Sequence, residues 1–306
     1  MRPRGPARLL VAPIVLAASG WVVPPRAPDA HEDVAALIAH VGERVAAFYE
    51  RAQRLVCLER STVLPIDRDW RVVGFGRTVL SELRIEPGDA DGGFRSEPHV
   101  TRVIRRINGR EPRARDLTGR AGCTDPTPLS PVPLAFLLPE HRDEYQFTNV
   151  RETTRDGRAA LTIGFASVRR DGHPVLIEDE HGHDDCYDWT GPMRITGRLW
   201  VDASTHDVVR LERHLAGPTD VRIPRRLQRE HNFPDWVTID RDDLTIEYDE
   251  VSFSHPDEVM LLPASIESTT VLRTTLQSTR RTQVFGDYRR FLTGGRIVKG
   301  GYELPR

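Results

Sequence analysis

The sequence predicts an α+β protein, mainly β, in which one long N-terminal amphipathic helix packs on a large curved antiparallel sheet that forms an incomplete barrel. Apolar residues recur at spacings of three and four over residues 31–56, as on one face of a helix. From about residue 60 onward, apolar and polar residues alternate in segments that turn signals separate. Strands and helices do not alternate, so the strands should pair antiparallel.

Composition restricts the class of protein. The chain has 306 residues, of which 39% are hydrophobic and 29% are charged, and its mean hydropathy is −0.44. These values are typical of a water-soluble globular protein and exclude a polytopic membrane protein, a coiled coil and a disordered chain. The chain has 43 basic and 45 acidic residues, so it lacks the excess of positive charge that would indicate a nucleic-acid partner.

Residues 1–27 resemble a secretory signal peptide. Three arginines in the first eight residues precede an apolar run over residues 9–23, so we expect an exported protein, periplasmic or extracellular. A buried N-terminal helix is the alternative, and cleavage near Ser19 or after Ala27 both fit. Ser19 stands where a lipidated cysteine would be, so the protein should not be membrane-anchored. Cleavage after Ala27 would remove four of the basic residues and no acid, leaving a net charge of −6.

The helix over residues 31–56 is the first element of the predicted domain. Asp29 and Glu32 have the spacing of a capping box at its start. Its apolar stripe should pack against the concave face of the sheet, and any sheet surface that one helix leaves uncovered should form an apolar cavity. The stripe consists of Val34, Leu37, Val41, Val45 and Phe48.

About nine or ten strands should follow within a single domain of residues 28–306. Hairpins are predicted at the Asp156-Gly157 turn and at the polar turn over residues 203–207. The other predicted strands cover residues 77–86, 100–107, 244–248, 264–275 and 280–291. Irregular insertions are expected near residues 110–131, 178–192 and 217–240, where Pro, Gly and acidic residues concentrate.

One hairpin carries a family resemblance. Residues 197–202, with the sequence Gly-Arg-Leu-Trp-Val-Asp, are followed after a short turn by residues 208–212, Val-Val-Arg-Leu-Glu. This pattern resembles exported bacterial proteins with the outer-membrane lipoprotein-carrier (LolA-like) fold, which also occurs in the N-terminal domain of periplasmic stress regulators. The resemblance implies an incomplete β-barrel that curls around helices and encloses an apolar, lipid-sized concavity. It transfers no functional residue to this chain.

Apolar side chains form the first candidate site. Phe48, Phe147, Phe165, Trp200 and Ile246 are predicted to line an apolar ligand pocket. The alternative is that these side chains belong to the ordinary hydrophobic core.

Histidines and cysteines form two further candidate sites. His181 and His183, in an acidic segment, could ligate a divalent metal, or they could lie in a solvated loop. Of three cysteines, Cys123 and Cys186 should form a disulfide, while Cys57, placed near the end of the helix, should be buried and free. No cofactor is predicted.

These observations favour a non-catalytic exported protein that binds an apolar ligand, a lipid or a lipoprotein segment, in its curved sheet. A cell-envelope interaction or sensor module is the second hypothesis. An unrecognised metal-dependent hydrolase is the third, since the sequence contains no G-x-S-x-G, H-E-x-x-H or Walker motif. The oligomeric state is left open.

Overall fold

A computed structural model describes most of the chain beyond the predicted signal peptide. The described residues are 30–52, 55–86, 99–113, 133–178, 187–254, 257–273, 276–291 and 297–299.

The N-terminal helix, α1, spans Ala30–Ala52 and is shorter than the predicted 31–56. Leu55 continues the helical spacing of apolar residues, but Leu55, Val56 and Cys57 belong to the first strand, β1. The stretch from Leu55 contains the β-branched residues Val56, Thr62, Val63 and Ile66, and it pairs with strands on both sides, so sheet hydrogen bonds replace helical ones there. Cys57 therefore lies in a strand, and its predicted place at the helix end is wrong.

Fourteen strands and two α-helices occur in the described ranges, against nine or ten strands predicted. The first seven strands are β1 (Leu55–Ile66), β2 (Arg77–Glu86), β3 (His99–Ile107), β4 (Tyr145–Arg155), β5 (Arg158–Ser167), β6 (Val175–Glu178) and β7 (Tyr187–Thr190). The others are β8 (Ile195–Asp202), β9 (Val208–Leu215), β10 (Thr219–Arg222), β11 (Trp236–Ser254), β12 (Asp257–Arg273), β13 (Ser278–Phe291) and β14 (Ile297–Lys299).

The strands form one open sheet in the order β3-β2-β1-β13-β12-β11-β9-β8-β5-β4, with β10, β6, β7 and β14 attached at its sides. Neighbouring strands are antiparallel except for β6 and β10. The described parts of β3 and β4, at the two ends of this order, do not pair, so the barrel is incomplete. The predicted fold class, mainly β with one large open antiparallel sheet and an N-terminal helix, is confirmed.

The hairpin turns follow their local sequence. Asp156 and Gly157 adopt φ angles of 49° and 79°, and Asn108 and Gly109 adopt 47° and 79°. Two successive left-handed residues make the type I′ turn that matches the twist of a hairpin, which is why Asn-Gly and Asp-Gly favour it.

The main core lies between α1 and the sheet. Val41, Val45 and Phe48 of the predicted stripe are buried, and Val34 and Leu37 are partly buried against the same cluster. Strand residues such as Ile163, Leu199, Ile246 and Phe285 form the other side of this cluster. The predicted packing of the helix on the sheet is therefore confirmed.

Residues 217–240, expected to be an irregular insertion, contain β10, the short helix α2 (Arg225–His231) and the start of β11. Pro224 stands at the N-cap of α2, where the missing amide hydrogen of proline costs nothing. Leu176, Val221, Leu227 and Val237 form part of a second, smaller core that this region shares with β6. Of the expected insertion near 110–131, residues 114–131 lie outside the described residues.

Gly197 of β8 provides a test of the main core. A Cβ atom there would lie 2.2 Å from the carbonyl oxygen of Glu212 and 2.3 Å from the Phe165 ring. Gly197→Ala should therefore lower the free energy of unfolding by about 2–3 kcal/mol, because a backbone carbonyl cannot easily move aside. Gly164→Ala on the adjacent strand is the control, since its nearest contact would be 3.3 Å. Urea denaturation showing equal stability for the two variants would contradict this packing.

Candidate functional site

Four of the five residues predicted to line a ligand pocket lie between α1 and the sheet. Phe48, Phe165 and Ile246 are buried in the main core, and Phe147 packs against it from its edge. Phe136 stacks on Phe147 and meets Phe165, with ring centroids 6.4 and 4.9 Å apart. This part of the helix–sheet interface is thus occupied largely by protein side chains.

Trp200, the fifth predicted residue, lies on the opposite face of the sheet. Its neighbours Leu199 and Val201 are buried in the core, and side chains alternate along a strand, so Trp200 points away from the helix. The guanidinium carbons of Arg198 and Arg210 lie 5.5 and 5.2 Å from the centroid of its ring. Trp200 therefore does not meet the other four residues.

A cleft of about 1090 Å³ opens at the end of the sheet where the β4–β5, β8–β9 and β11–β12 hairpins turn. Its volume slightly exceeds the range typical of small-molecule sites, about 300–1,000 Å³. Its apolar surface comes from Ala160, Val209, Val259 and Leu261. Its polar and charged surface comes from Arg44, Arg155, Asp156, Arg158, Asp202, Ser204, Thr205, Asp207, Tyr248, Asp249 and Glu250.

The β8–β9 turn is one wall of the cleft, and Asp202 holds its shape. The Asp202 carboxylate accepts hydrogen bonds from the backbone N–H groups of Ser204 and Thr205, at 2.8 and 2.9 Å. It also accepts the Ser204 hydroxyl at 2.6 Å. The Ser204 hydroxyl and these N–H groups hold the pKa of Asp202 below its ordinary value, against the opposing effect of partial burial. The ionised carboxylate therefore stabilises the turn.

Helix α1 forms a second wall of the cleft and contacts the β8–β9 turn. The guanidinium of Arg44 donates two hydrogen bonds to the Asp207 carboxylate, both at 2.8 Å. This bidentate pairing raises the pKa of Arg44 above its ordinary value. His40, one turn earlier, stacks on His206 with ring centroids 5.5 Å apart. These contacts join residues more than 160 positions apart and fix the entrance of the cleft.

Ion pairs join the β4–β5 hairpin to β11 on the far side. Arg158 pairs with Glu250, and Arg155 pairs with Glu247. The hydrogen bond from Arg158 lowers the pKa of Glu250. Burial raises the pKa of Glu247, because it outweighs the neighbouring Arg155 and Arg210. Because the charges are already paired within the protein, the rim offers a polar surface of mixed sign.

Tyr248, on β11, stands between the polar and apolar parts of the cleft. Only 6% of this residue is exposed, and its buried hydroxyl makes no hydrogen bond within the described structure. Burial raises its pKa, so the hydroxyl stays protonated and able to donate. A buried hydroxyl without a partner costs about 1–3 kcal/mol, so a ligand acceptor that reached it would be stabilised by the hydrogen bond.

Two smaller cavities adjoin the helix–sheet core. One of about 50 Å³ continues from the cleft beneath Arg44 and is lined by Val45, Phe48, Tyr248 and Leu261, among others. Another, of about 220 Å³, is lined by Phe136, Phe165 and Leu244 with their neighbours. Phe48 and Phe165, predicted as pocket residues, thus each border a small cavity rather than the main cleft.

The predicted metal ligands His181 and His183 lie outside the described residues. Among the described residues, Glu178, Glu230 and His231 bring ligand atoms within 4.8 Å of one another. Arg226 bridges the two carboxylates of this exposed group, pairing with both Glu178 and Glu230. An arginine at the centre of the group supplies the positive charge that a metal ion would bring.

The predicted disulfide partners, Cys123 and Cys186, also lie outside the described residues. Cys57 is free and buried. Burial raises its pKa well above that of an ordinary thiol, so it stays protonated and unreactive.

Sequence analysis did not identify the cleft. The sequence places Tyr248 only at the end of the predicted strand 244–248, and the residues of the β4–β5 and β8–β9 turns only in hairpin turns. A signal was present in the polar composition of residues 202–207, but their meeting with Arg44 depends on long-range packing.

The described helices include none that is both long and apolar enough to cross a bilayer.

No protein-family model matches the chain, and no curated protein sequence matches it. Among solved structures, a Vibrio parahaemolyticus domain assigned to outer membrane lipoprotein sorting aligns at a TM-score of 0.30 and 10% identity, over 84% of this chain and 95% of its own. A LolA superfamily protein from Nitrosomonas europaea gives 0.29 and 10%, over 82% and 92%. The MucA/MucB complex of Pseudomonas aeruginosa gives 0.20 and 14%, over 81% and 93%. These are weak similarities to proteins of the LolA superfamily and to the MucA/MucB complex, and no ligand or residue role is transferred from them.

Proposed function

We propose that the protein is an exported, non-catalytic binding protein that holds an amphipathic ligand, with an apolar chain and a polar head, in the cleft. The observation that carries this proposal is the cleft of about 1090 Å³, which places apolar walls beside the buried, unpartnered hydroxyl of Tyr248.

The apolar part of the ligand should lie along β11 and β12. Val259 and Leu261 line both the cleft and the small cavity beneath it, so an apolar chain can follow them toward Phe48. Val259 is 55% exposed although it is large and apolar. A ligand chain that covers it gains about 25 cal/mol for each Å² of apolar surface removed from water.

The polar head should not carry a net negative charge. Three arginines and five carboxylates line the cleft, so their formal charges favour no anion. Arg44 and Arg158 already pair with Asp207 and Glu250, and an anionic head would have to compete with these carboxylates. The Tyr248 hydroxyl can donate one hydrogen bond to an ester or phosphodiester oxygen of such a head.

Titration calorimetry with decanoyl lysophosphatidylcholine, below its micelle concentration, tests the proposal. Leu261→Trp should weaken binding at least tenfold, because the larger ring occupies the space beside Val259 that the apolar chain needs. Val103→Trp is the matched control, since Val103 is 42% exposed on β3 and does not line the cleft. Decanoate should bind more weakly than the zwitterionic ligand. Failure of the wild type to bind, or equal binding by the wild type and Leu261→Trp, would contradict the proposal.

Tyr248→Phe separates a ligand-binding role from a structural one. The variant should be as stable as the wild type or more stable by about 1 kcal/mol without ligand, because an unsatisfied buried hydroxyl is removed. Its affinity for decanoyl lysophosphatidylcholine should fall by about 3–10-fold, the value of one hydrogen bond. Thermal denaturation and calorimetry measure the two effects. A destabilised variant with unchanged affinity would assign Tyr248 to the core instead.

A further inference from the structure

The loop between β1 and β2, residues 67–76, exposes a cluster of large apolar side chains. Phe75 is 97% exposed, and Trp70, Val72 and Val73 are 45%, 49% and 44% exposed. Single exposed apolar residues are ordinary, but four within six positions form a patch. In the described chain, half of the large apolar residues with high exposure belong to this one loop.

The loop is ordered, so its apolar side chains are held outward. The Asp67 carboxylate accepts hydrogen bonds from the backbone N–H groups of Asp69 and Arg71, both at 2.9 Å. The N–H of Val73 donates to the carbonyl of Pro65 at 2.9 Å. A preformed loop loses little conformational entropy when it binds a surface.

Trp70 adopts a strained backbone conformation within this loop. Its φ of 65° lies in the left-handed region, which is rare for a large aromatic residue. The Arg241 guanidinium lies 4.0 Å from the centroid of its ring, and the Trp70 carbonyl accepts a hydrogen bond from Arg280 at 3.4 Å. The structure thus retains a strained residue that displays an indole beside two arginines.

Positive charge surrounds the patch. The β1–β2 loop meets residues 278–281 through the pairing of Ile66 with Ser278, and residues 106–111 through the bond from the Asn108 N–H to the Thr78 carbonyl. Residues 66–78, 106–111 and 278–281, together with residues 240–243 around the Arg241 that stacks on Trp70, contain eight arginines and six acidic residues, whereas the whole chain has a net charge of −2. This end of the sheet is therefore locally positive on an overall acidic protein.

We propose that the loop over residues 67–76 docks the protein reversibly on a lipid bilayer that contains anionic headgroups. Tryptophan and phenylalanine with flanking arginines are the side chains that favour the interface of a membrane, and each arginine near an anionic surface adds attraction. The acidic remainder of the chain limits this attraction to the loop. The loop lies at the opposite end of β11 from the cleft, so docking does not depend on the ligand proposed above.

Vesicle flotation measures the docking, and depth quenching locates it. The wild type should float with vesicles of phosphatidylcholine and phosphatidylglycerol, and much less with phosphatidylcholine alone or at high salt. Val73→Ser/Phe75→Ser should lower the partition coefficient at least tenfold, since two apolar side chains are removed from the membrane. Val168→Ser, 39% exposed elsewhere, is the control and should float like the wild type.

Brominated acyl chains should quench tryptophan fluorescence in the wild type and in Trp236→Phe, but not in Trp70→Phe. Equal flotation of the wild type and the double variant would overturn the proposal. Flotation of the wild type that does not depend on lipid charge would also overturn it. A third contradicting result would be a wild-type dimer that does not bind vesicles and that Val73→Ser/Phe75→Ser dissociates. The last result would assign the patch to a second copy of the chain.

Discussion

The Val45→Asp variant should lose about 4 kcal/mol of its free energy of unfolding. We expect it to be largely unfolded at 37 °C. Val45 is 3% exposed and lies in the middle of the stripe that packs α1 on the sheet. Its replacement places a carboxylate among apolar side chains, where the charge must stay unpaired or take up a proton. Since the described structure has only one long helix on this face, no other element can take over its packing.

Ala36→Asp is the matched control, because Ala36 lies on the exposed side of the same helix. The control introduces the same residue at a larger cost in helix propensity, because alanine is a better helix former than valine, and its stability should still stay within about 1 kcal/mol of the wild type. Circular dichroism melts of both variants measure the difference. A stable Val45→Asp protein would mean that α1 does not cover the core in solution.

Arg102→Leu should cost about 3 kcal/mol, because it leaves the Glu59 carboxylate buried without its arginine. Glu59 is 2% exposed on β1, and Arg102 of β3 donates to it from Nε at 2.5 Å. Gln283 of β13 donates a further hydrogen bond to the same carboxylate. Hydrogen bonds to the Glu59 carboxylate thus connect β1 with both β3 and β13.

The double variant Glu59→Gln/Arg102→Leu distinguishes the buried charge from simple loss of contacts. It should recover most of the lost stability, because it removes the unpaired charge and keeps a side-chain oxygen that accepts the hydrogen bond from Gln283. Urea denaturation of the three proteins gives the coupling free energy. A double variant that is no more stable than Arg102→Leu would show that the cost does not arise from the unpaired Glu59.

The elements that sequence analysis identified are those with local signals. The helix stripe has a period that only an α-helix satisfies, and Asp156-Gly157 supplies the two left-handed residues of a hairpin turn. The end of α1 was misplaced because Leu55 fits the helical period as well as the strand. Long-range pairing of β1 with β13, more than 200 residues away, decides that case.

The candidate site could not be predicted in the same way. Two ion pairs, Arg44 with Asp207 and Arg158 with Glu250, hold the walls of the cleft together. The sequence around each arginine does not indicate which carboxylate it pairs with. Trp200 was placed in the pocket from its aromatic character, although the alternation of Leu199 and Val201 puts it on the other face. That no described residue bonds to the Tyr248 hydroxyl is visible only once the packing of β11 is known.

The amphipathic ligand in the cleft is the central claim, and native mass spectrometry of the mature protein purified from its source cells tests it most directly. We expect a discrete adduct with the mass of a neutral or zwitterionic lipid on the wild type and on Val103→Trp, and its loss from Leu261→Trp. A wild-type spectrum without any adduct, or an adduct that Leu261→Trp retains in full, would contradict the account.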